Sequence, residues 1–525
     1  MAGPPAPPLA HPPLEGAARL WGTIALSGAT FMNVLDMTIA NVSLPAIAGD
    51  LGVSPNQGTW VITSFAIANA IAVPLTGWLS QRFGQVRLFV FSVLMFVLMS
   101  WLCGLAPSMP VLIAFRALQG LAAGPLIPLS QSLLLSSYPP ALAGTAMAAW
   151  SMTTLVAPVV GPVLGGWITD TLSWPWIFYI NIPVGLAAAA AAWAIYGERE
   201  SQVRRLPIDK VGLVLLVVWI GALQLVLDLG KEHDWFDSSL IVALAVTAVV
   251  GLAVFLIWEL TEAHPVVDLR LFARRNFWAS TLAVSVGYGV FFGNVVLVPL
   301  WLQQFMGYTA TDAGMIMAPV GLLAIVLSPV VGRTVMKVDP RRYATAAFLT
   351  FSLVLWLRSR FNTQADFGTI MIPTLVQGVA MSMFFIPLTT LSMTGLTSDR
   401  TAAASGLFNF VRITAGAVGT SVVTTLWESR AAVHHAQLAE AINPANATAM
   451  ATVSQLMAGG LSQQQALAQI NRMVDQQAFM LAANDIFWAS SLICLALVPL
   501  VWLMRSPSRA AADAAAAADG AAGVH

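Results

Sequence analysis

Charge is what this chain has least of. Only 9% of its 525 residues are Asp, Glu, Lys or Arg, against about 25% in an ordinary soluble domain. With 58% hydrophobic residues beside it, that scarcity excludes a water-soluble class and puts the chain in a bilayer. Basic and acidic residues balance at 24 each, so no basic excess is available to hold nucleic acid. Cysteine is nearly missing. Cys103 and Cys494 both fall in apolar runs, which reads as small core residues and excludes a disulfide framework or a metal site. No G-x-S-x-G, H-E-x-x-H, Walker or dinucleotide motif occurs. An enzyme is therefore not supported, ATP is disfavoured as an energy source, and no cofactor is expected.

Long apolar runs are plentiful. A membrane-crossing helix needs about 20 mostly apolar residues, and fourteen stretches qualify: 20–44, 58–80, 86–106, 109–134, 140–170, 174–196, 208–228, 238–260, 276–301, 311–335, 341–359, 366–394, 401–427 and 480–504. The fold class is an all-α membrane protein. An even number of crossings puts both ends on one side, and the basic residues say which. Seventeen of the 24 fall in segments that are cytoplasmic if the N-terminus is, among them Arg82, Arg87, Arg204, Arg205, Arg341, Arg342 and Arg509. Five, namely Lys231, Arg358, Arg360, Arg430 and Arg472, fall outside, and Arg116 and Arg412 lie within helices. This is the positive-inside pattern, so both termini are expected in the cytoplasm. Residues 1–19, Pro-rich at their start and without the features of a signal peptide, and 505–525, Ala-rich at their end, are expected to be disordered tails. One outside loop is long, 428–479, Ala- and Gln-rich. It reads as solvated helix, either a passive cap or a docking surface for an external partner.

The two ends of the chain repeat one another. PLTG at 74–77 recurs as PVVG at 329–332, Gln119-Gly120 as Gln377-Gly378, Ile127-Pro128-Leu129 as Ile386-Pro387-Leu388, and Ala157 with Gly161 as Ala415 with Gly419. The expected division is a six-helix bundle over 20–196, two inserted helices over 208–260, and a second six-helix bundle over 276–504. Two such halves with a site between them are a transporter layout. Features found in only one half are then the better candidates for mechanism. Arg116 corresponds to Thr374, and Asp36 to Asn294 or Val290, so neither charge is copied.

Asp36 stands near the middle of the first apolar run, where a charge costs about 2.5–3.5 kcal/mol on insertion scales. Asn33 shares its helix face. Arg116 lies inside the fourth run with Gln119 on its face, and Asp36 is its candidate partner. A low dielectric favours the neutral carboxyl and a nearby guanidinium favours the charged one. A carboxylate held between those pulls can exchange a proton when access changes; the alternative is a hydrogen-bonded structural acid. One charge moved through 100 mV is worth about 2.3 kcal/mol, enough for roughly a fifty-fold substrate gradient. Trp60, Asn69, Asn409 and Arg412 are further polar or aromatic candidates for a substrate cavity, along with Asn33 and Gln119. In APVVGPVLGG (157–166), Ala157, Gly161 and Gly165 make one ridge of small residues, and Pro158, Pro162 and Gly166 make the next, either tight packing or a hinge. GWLSQRFGQVR (77–87), with Gly77, Arg82, Gly84 and Arg87, is a basic turn, either an anchor or a latch between conformations.

These residues resemble the major facilitator superfamily, in particular its fourteen-helix drug:proton antiporters. LDMTIANVSLP (35–45) is similar to that group's first-helix signature, Arg116 with Gln119-Gly120 to its fourth-helix motif, and 157–166 to its antiporter motif. QGTWVITSF (57–65), PLIPLSQSLLLSSYPP (125–140) and HHAQL (434–438) resemble EmrB-type inner-membrane multidrug pumps. The resemblance implies the major facilitator fold, proton-driven export of amphipathic toxic compounds, a cell inner membrane location, a periplasmic adaptor of the EmrA type and an outer-membrane channel of the TolC type. A proton-coupled importer of a polar solute and a membrane-embedded receptor are the other readings. The superfamily's turn between helices 2 and 3 usually carries an acid before its arginine. Here Gln81 stands in that place.

Overall fold

The computed structural model describes residues 11–203, 207–335, 337–396 and 398–505, and all regular structure among them is helical. Arg204, Arg205 and Arg509, and most of both expected tails, lie outside those residues. The long helices in chain order are α1 (Gly16–Asp50), α2 (Trp60–Phe83), α3 (Gln85–Gly104), α4 (Met109–Ser137), α5 (Ala143–Thr171), α6 (Trp176–Tyr196), α7 (Lys210–Leu229) and α8 (Ser239–Thr261). They continue as α9 (Arg275–Phe305), α10 (Ala310–Thr334), α11 (Pro340–Arg358), α12 (Phe367–Met393), α13 (Ser398–Glu440) and α14 (Gln463–Leu503). Among the described residues twelve are long and apolar enough to cross a membrane, or thirteen if the bent α5 counts as one span. The helix outside that group is α11, which carries Arg341, Arg342 and Arg358.

The packing pattern repeats. In the first part of the chain α1 packs on α5, α2 on α4, and α3 on α6; in the last part α9 packs on α13, α10 on α12, and α11 on α14. Small residues set the closest approaches. A side chain on Gly165 would meet the Ile39 carbonyl at 2.8 Å, and one on Gly289 would meet that of Ala415 at the same distance. Between the two sets, α2 crosses α13 and α5 crosses α10. A side chain on Gly77 would lie 2.7 Å from Ala403 Cα, and one on Gly332 would lie 2.7 Å from the Gly144 carbonyl. Gln131 Oε1 of α4 accepts from Asn409 Nδ2 of α13 at 2.9 Å and from the Ser405 hydroxyl. The Gly77 and Gly332 contacts close the end of the molecule that carries the α2–α3 turn.

Helix α13 has 43 residues, about 65 Å at 1.5 Å per residue and roughly twice the hydrocarbon thickness. Residues 428–479 are thus mostly helical extensions of α13 and α14 with a short helix, Ala447–Ala458, between them. Asp485 ties the extensions together, accepting from Arg430 at 2.6 Å and His434 at 2.9 Å. Val453, Ala466, Ile470 and Val474 form a small separate core.

Candidate functional site

Asp36 is fully buried on α1, and its two oxygens have three donor contacts between them. Arg116 Nη1 of α4 donates to Oδ2 at 2.6 Å, while Gln119 Nε2 and Asn181 Nδ2 donate to Oδ1 at 3.2 and 2.8 Å. The guanidinium in turn donates to Gln119 Oε1 at 2.7 Å and to the Val61 carbonyl at 3.0 Å, and it lies 4.3 Å from the Phe65 ring centre. Arg116 is 1% exposed and Asp36 not at all. Among the described residues this is the one ion pair with both members buried. A carbonyl, an amide and an aromatic face complete its shell, as a charge pair away from water requires. Ser100 orients Asn181, accepting from its Nδ2 at 3.0 Å and donating to the Phe178 carbonyl at 2.8 Å. The cluster therefore draws on α1, α2, α3, α4 and the start of α6. Asn181 gave no signal in the sequence, because an amide at the head of a helix resembles a loop residue.

A cavity of about 530 Å³ lies between the two sets of helices, away from the closed end. Val42, Thr154, Pro158 and Val163 wall one side; Tyr288, Phe292, Met317, Phe385 and Arg412 wall the other. Arg412 is 4.7 Å from the Tyr288 ring centre and 5.5 Å from that of Phe385, and it donates to Asn409 Oδ1 at 2.8 Å. Of the six cavity candidates read from sequence, Arg412 lines this space. Gln119 belongs to the ion-pair cluster. Asn33 donates to the Ala123 carbonyl at 3.4 Å, Asn69 is buried on α2, Trp60 sits half-buried at the start of α2, and Asn409 bridges α13 to α4.

The bend of α5 joins cavity and cluster. Ala143–Pro158 and Val163–Thr171 meet at 48°, the place where prolines remove helix hydrogen bonds. The Pro162 side chain lies outside the described residues. Side chains on Gly161 and Gly165 would collide with Thr38 and Ile39, whereas one on Gly166 would meet only Val42 at 3.7 Å. The α5 backbone therefore rides directly on α1, two and three residues past Asp36.

The basic turn also has its acid, from a distant segment. Glu200 accepts from the backbone N–H groups of Val86 at 3.0 Å and Arg87 at 2.8 Å, capping α3. Gly84 has φ +90°, and a side chain there would strike the Glu200 carboxylate. Arg82 packs over Trp78, 5.3 Å from the ring centre. Gly84→Ala is expected to destabilise by about 1–3 kcal/mol, because φ +90° with ψ 151° is a backbone conformation open essentially to glycine alone, and by more through displacing Glu200. Thermal unfolding of Gly84→Ala against Glu200→Gln measures both parts.

The sequence profile of the Major Facilitator Superfamily matches residues 26–420. The chain belongs to the major facilitator superfamily. This facilitator is 52% identical over 497 residues to the multidrug export protein EmrB of Haemophilus influenzae, covering 94% of this chain and 98% of that protein. It is 51% identical to EmrB of Escherichia coli K12, covering 94% and 97%. To the fatty acid resistance protein FarB of Neisseria gonorrhoeae it is 50% identical, covering 95% and 98%. The human organic anion transporter MFSD10 (TETRAN) shares the fold, with a TM-score of 0.58 at 13% identity, over 93% of this chain and all of that one. The facilitator is thus a multi-pass membrane transporter.

Proposed function

We propose that this facilitator is a proton-driven multidrug exporter working by alternating access. The observation that carries the reading is the buried Asp36–Arg116 pair, set on the helix against which the cavity-lining α5 bends. Half-identity to EmrB proteins over nearly the whole chain supports export of amphipathic compounds. In this reading Asp36 takes up the proton and Arg116 returns when it leaves. Neutralising Asp36 weakens its hold on Arg116, frees α1 to shift against α2, α4 and α6, and moves the Thr38–Gly161 and Ile39–Gly165 contacts that set the α5 bend. The substrate lies in the cavity of Pro158, Tyr288, Phe292, Phe385 and Arg412, whose soft apolar walls tolerate varied shapes.

The architecture proposed with it has fourteen crossings, α11 included: bundles over 20–196 and 276–504, an inserted pair over 208–260, and both termini in the cytoplasm. In that orientation the closed end is cytoplasmic and the cavity faces the periplasm. The protruding 428–479 segment then meets a periplasmic adaptor of the EmrA type in an inner-membrane assembly completed by a TolC-type channel.

Proteoliposomes of the purified protein, acid inside, test the exchange. Protons leaving should drive an amphipathic fluorescent substrate inward, and an uncoupler should abolish the accumulation. Outward loss of preloaded substrate under the same gradient would show symport instead, and no movement of substrate would favour a receptor.

A further inference from the structure

Two carboxyl groups lie against one another at the foot of α7 and α8. Asp209 stands just before α7 and caps it, its Oδ1 accepting from the Gly212 N–H at 2.9 Å. Its Oδ2 accepts from Trp258 Nε1 of α8 at 2.9 Å. Glu259, next in the chain after Trp258, is 1% exposed. Its Oε2 accepts from the Val267 N–H at 3.0 Å, in the segment that leads to α9. A side chain on Gly212 would collide with Asp209 Oδ2 and lie 2.5 Å from Glu259 Oε1, so these two oxygens flank one point over the α7 backbone. The two acids clasp the start of α7 and the end of α8 to the α8–α9 segment, whose Val266 and Val267 pack in the core of the second half. Trp78 Nε1 of α2 donates to the Pro207 carbonyl at 3.2 Å, which puts the clasp at the end of the molecule that carries the α2–α3 turn.

Among the described residues no cation balances the pair. Glu259 Oε1 is buried without a donor, and neither carboxylate has an ion pair. The basic groups nearby are engaged elsewhere or exposed. Lys210 of α7, His264 of the linking segment and Arg275 of α9 are exposed, Arg270 donates to the Glu262 carbonyl at 3.4 Å, and Arg274 donates to the Gly395 carbonyl at 2.6 Å. Arg82 of α2 packs over Trp78. The other acids have their own donors. Glu262 Oε1 accepts from the Ala263 N–H at 2.9 Å, and Asp268 from the Arg270 N–H at 3.2 Å.

A carboxylate oxygen stripped of water and set against a second carboxylate is penalised twice, by desolvation and by repulsion. One proton relieves both. On Glu259 Oε1 it makes an O–H donor, and Asp209 Oδ2 is the acceptor beside it. A proton also needs no room, whereas Oε1 is closed to solvent, and no group of three or more His, Cys, Asp or Glu that could hold a metal ion occurs among the described residues. We propose that Glu259 and Asp209 share one proton, which belongs to the pair. They form a second proton-binding site, separate from Asp36 and on the helices that have no counterpart in the repeat. When the Glu259 O–H bond breaks, the proton passes to water at this end of the molecule. Two facing carboxylates remain, and α7 and α8 loosen from the α8–α9 segment.

The test is infrared spectroscopy of the full chain in lipid nanodiscs at neutral pH. Subtracting the spectrum of Glu259→Gln from that of the unaltered chain should leave the carbonyl stretch of a neutral carboxyl group, shifted in D2O. The paired bands of a carboxylate in its place would overturn the proposal. Glu259→Gln should fold, since its amide accepts from Val267 and donates to Asp209 as the protonated acid does; a variant that fails to fold at neutral pH would count against the shared proton. Raising the pH above neutral should lower the Tm of the unaltered chain, because folding then requires proton uptake, and should lower that of Glu259→Gln less. Equal falls would also overturn it. So would a saturable rise in Tm with sodium or potassium in place of choline that Glu259→Gln loses, since the occupant would then be a metal cation.

Discussion

Asp36→Asn is expected to reduce substrate accumulation in acid-loaded proteoliposomes from as much as roughly fifty-fold, the limit set by one proton and 100 mV, to equality across the membrane. Energy-independent exchange of labelled for unlabelled substrate should persist. The substitution keeps shape and an acceptor, so the donors Gln119 and Asn181 stay satisfied. It removes the titrating charge and puts an amide N–H donor where Oδ2 accepted from Arg116. Arg116 then resembles Arg358, a buried guanidinium without a carboxylate that this chain already carries. Folding should therefore survive while coupling is lost. Both measurements use one fluorescent substrate, and accumulation by the variant equal to that of the unaltered protein would remove Asp36 from the exchange.

Arg116→Leu is expected to be the more damaging change, and to stability first. It leaves a charged carboxylate at zero exposure with two amide donors and no cation. Removing one member of a buried ion pair costs about 3–5 kcal/mol, a loss of more than a hundred-fold in the folded fraction. Arg116→Lys recovers only part of this, since an ammonium cannot span Asp36, Gln119 and the Val61 carbonyl at once. Adding Asp36→Asn to Arg116→Leu should restore most of the folded yield, because neutral partners need no countercharge, yet it should not restore accumulation. Monodisperse yield and Tm of the two single variants and the double variant measure the coupling. A single Arg116→Leu as stable as the double variant would show that the pair is not electrostatically coupled.

The helices and the meeting of Asp36 with Arg116 were legible in the sequence for physical reasons. A bilayer demands long apolar runs, and two lone charges within such runs must find partners. What sequence could not supply were partners from distant segments that cost little to encode. Asn181 reaches Asp36 from the head of α6, and Glu200 caps α3 from beyond α6. Gln131 bridges to α13 across the middle of the molecule. Arg358 was hidden differently: at a helix end it counts as a flanking charge, and only packing turns it inward. Glu259 on α8 was missed likewise; it is 1% exposed, and its Oε2 accepts from the Val267 N–H at 3.0 Å. Helix ends were misjudged where they continue past the apolar stretch, as in α13, because hydropathy reports the span within lipid and not the length of the helix.

The most direct measurement is of protons released when an amphipathic substrate is added to the purified protein in nearly unbuffered solution, followed with a pH-sensitive dye. If Asp36 trades its proton for substrate, about one proton should appear per substrate bound to the unaltered chain, and none from Asp36→Asn at equal occupancy. Undiminished release from Asp36→Asn would place the exchanging group elsewhere and contradict the mechanism.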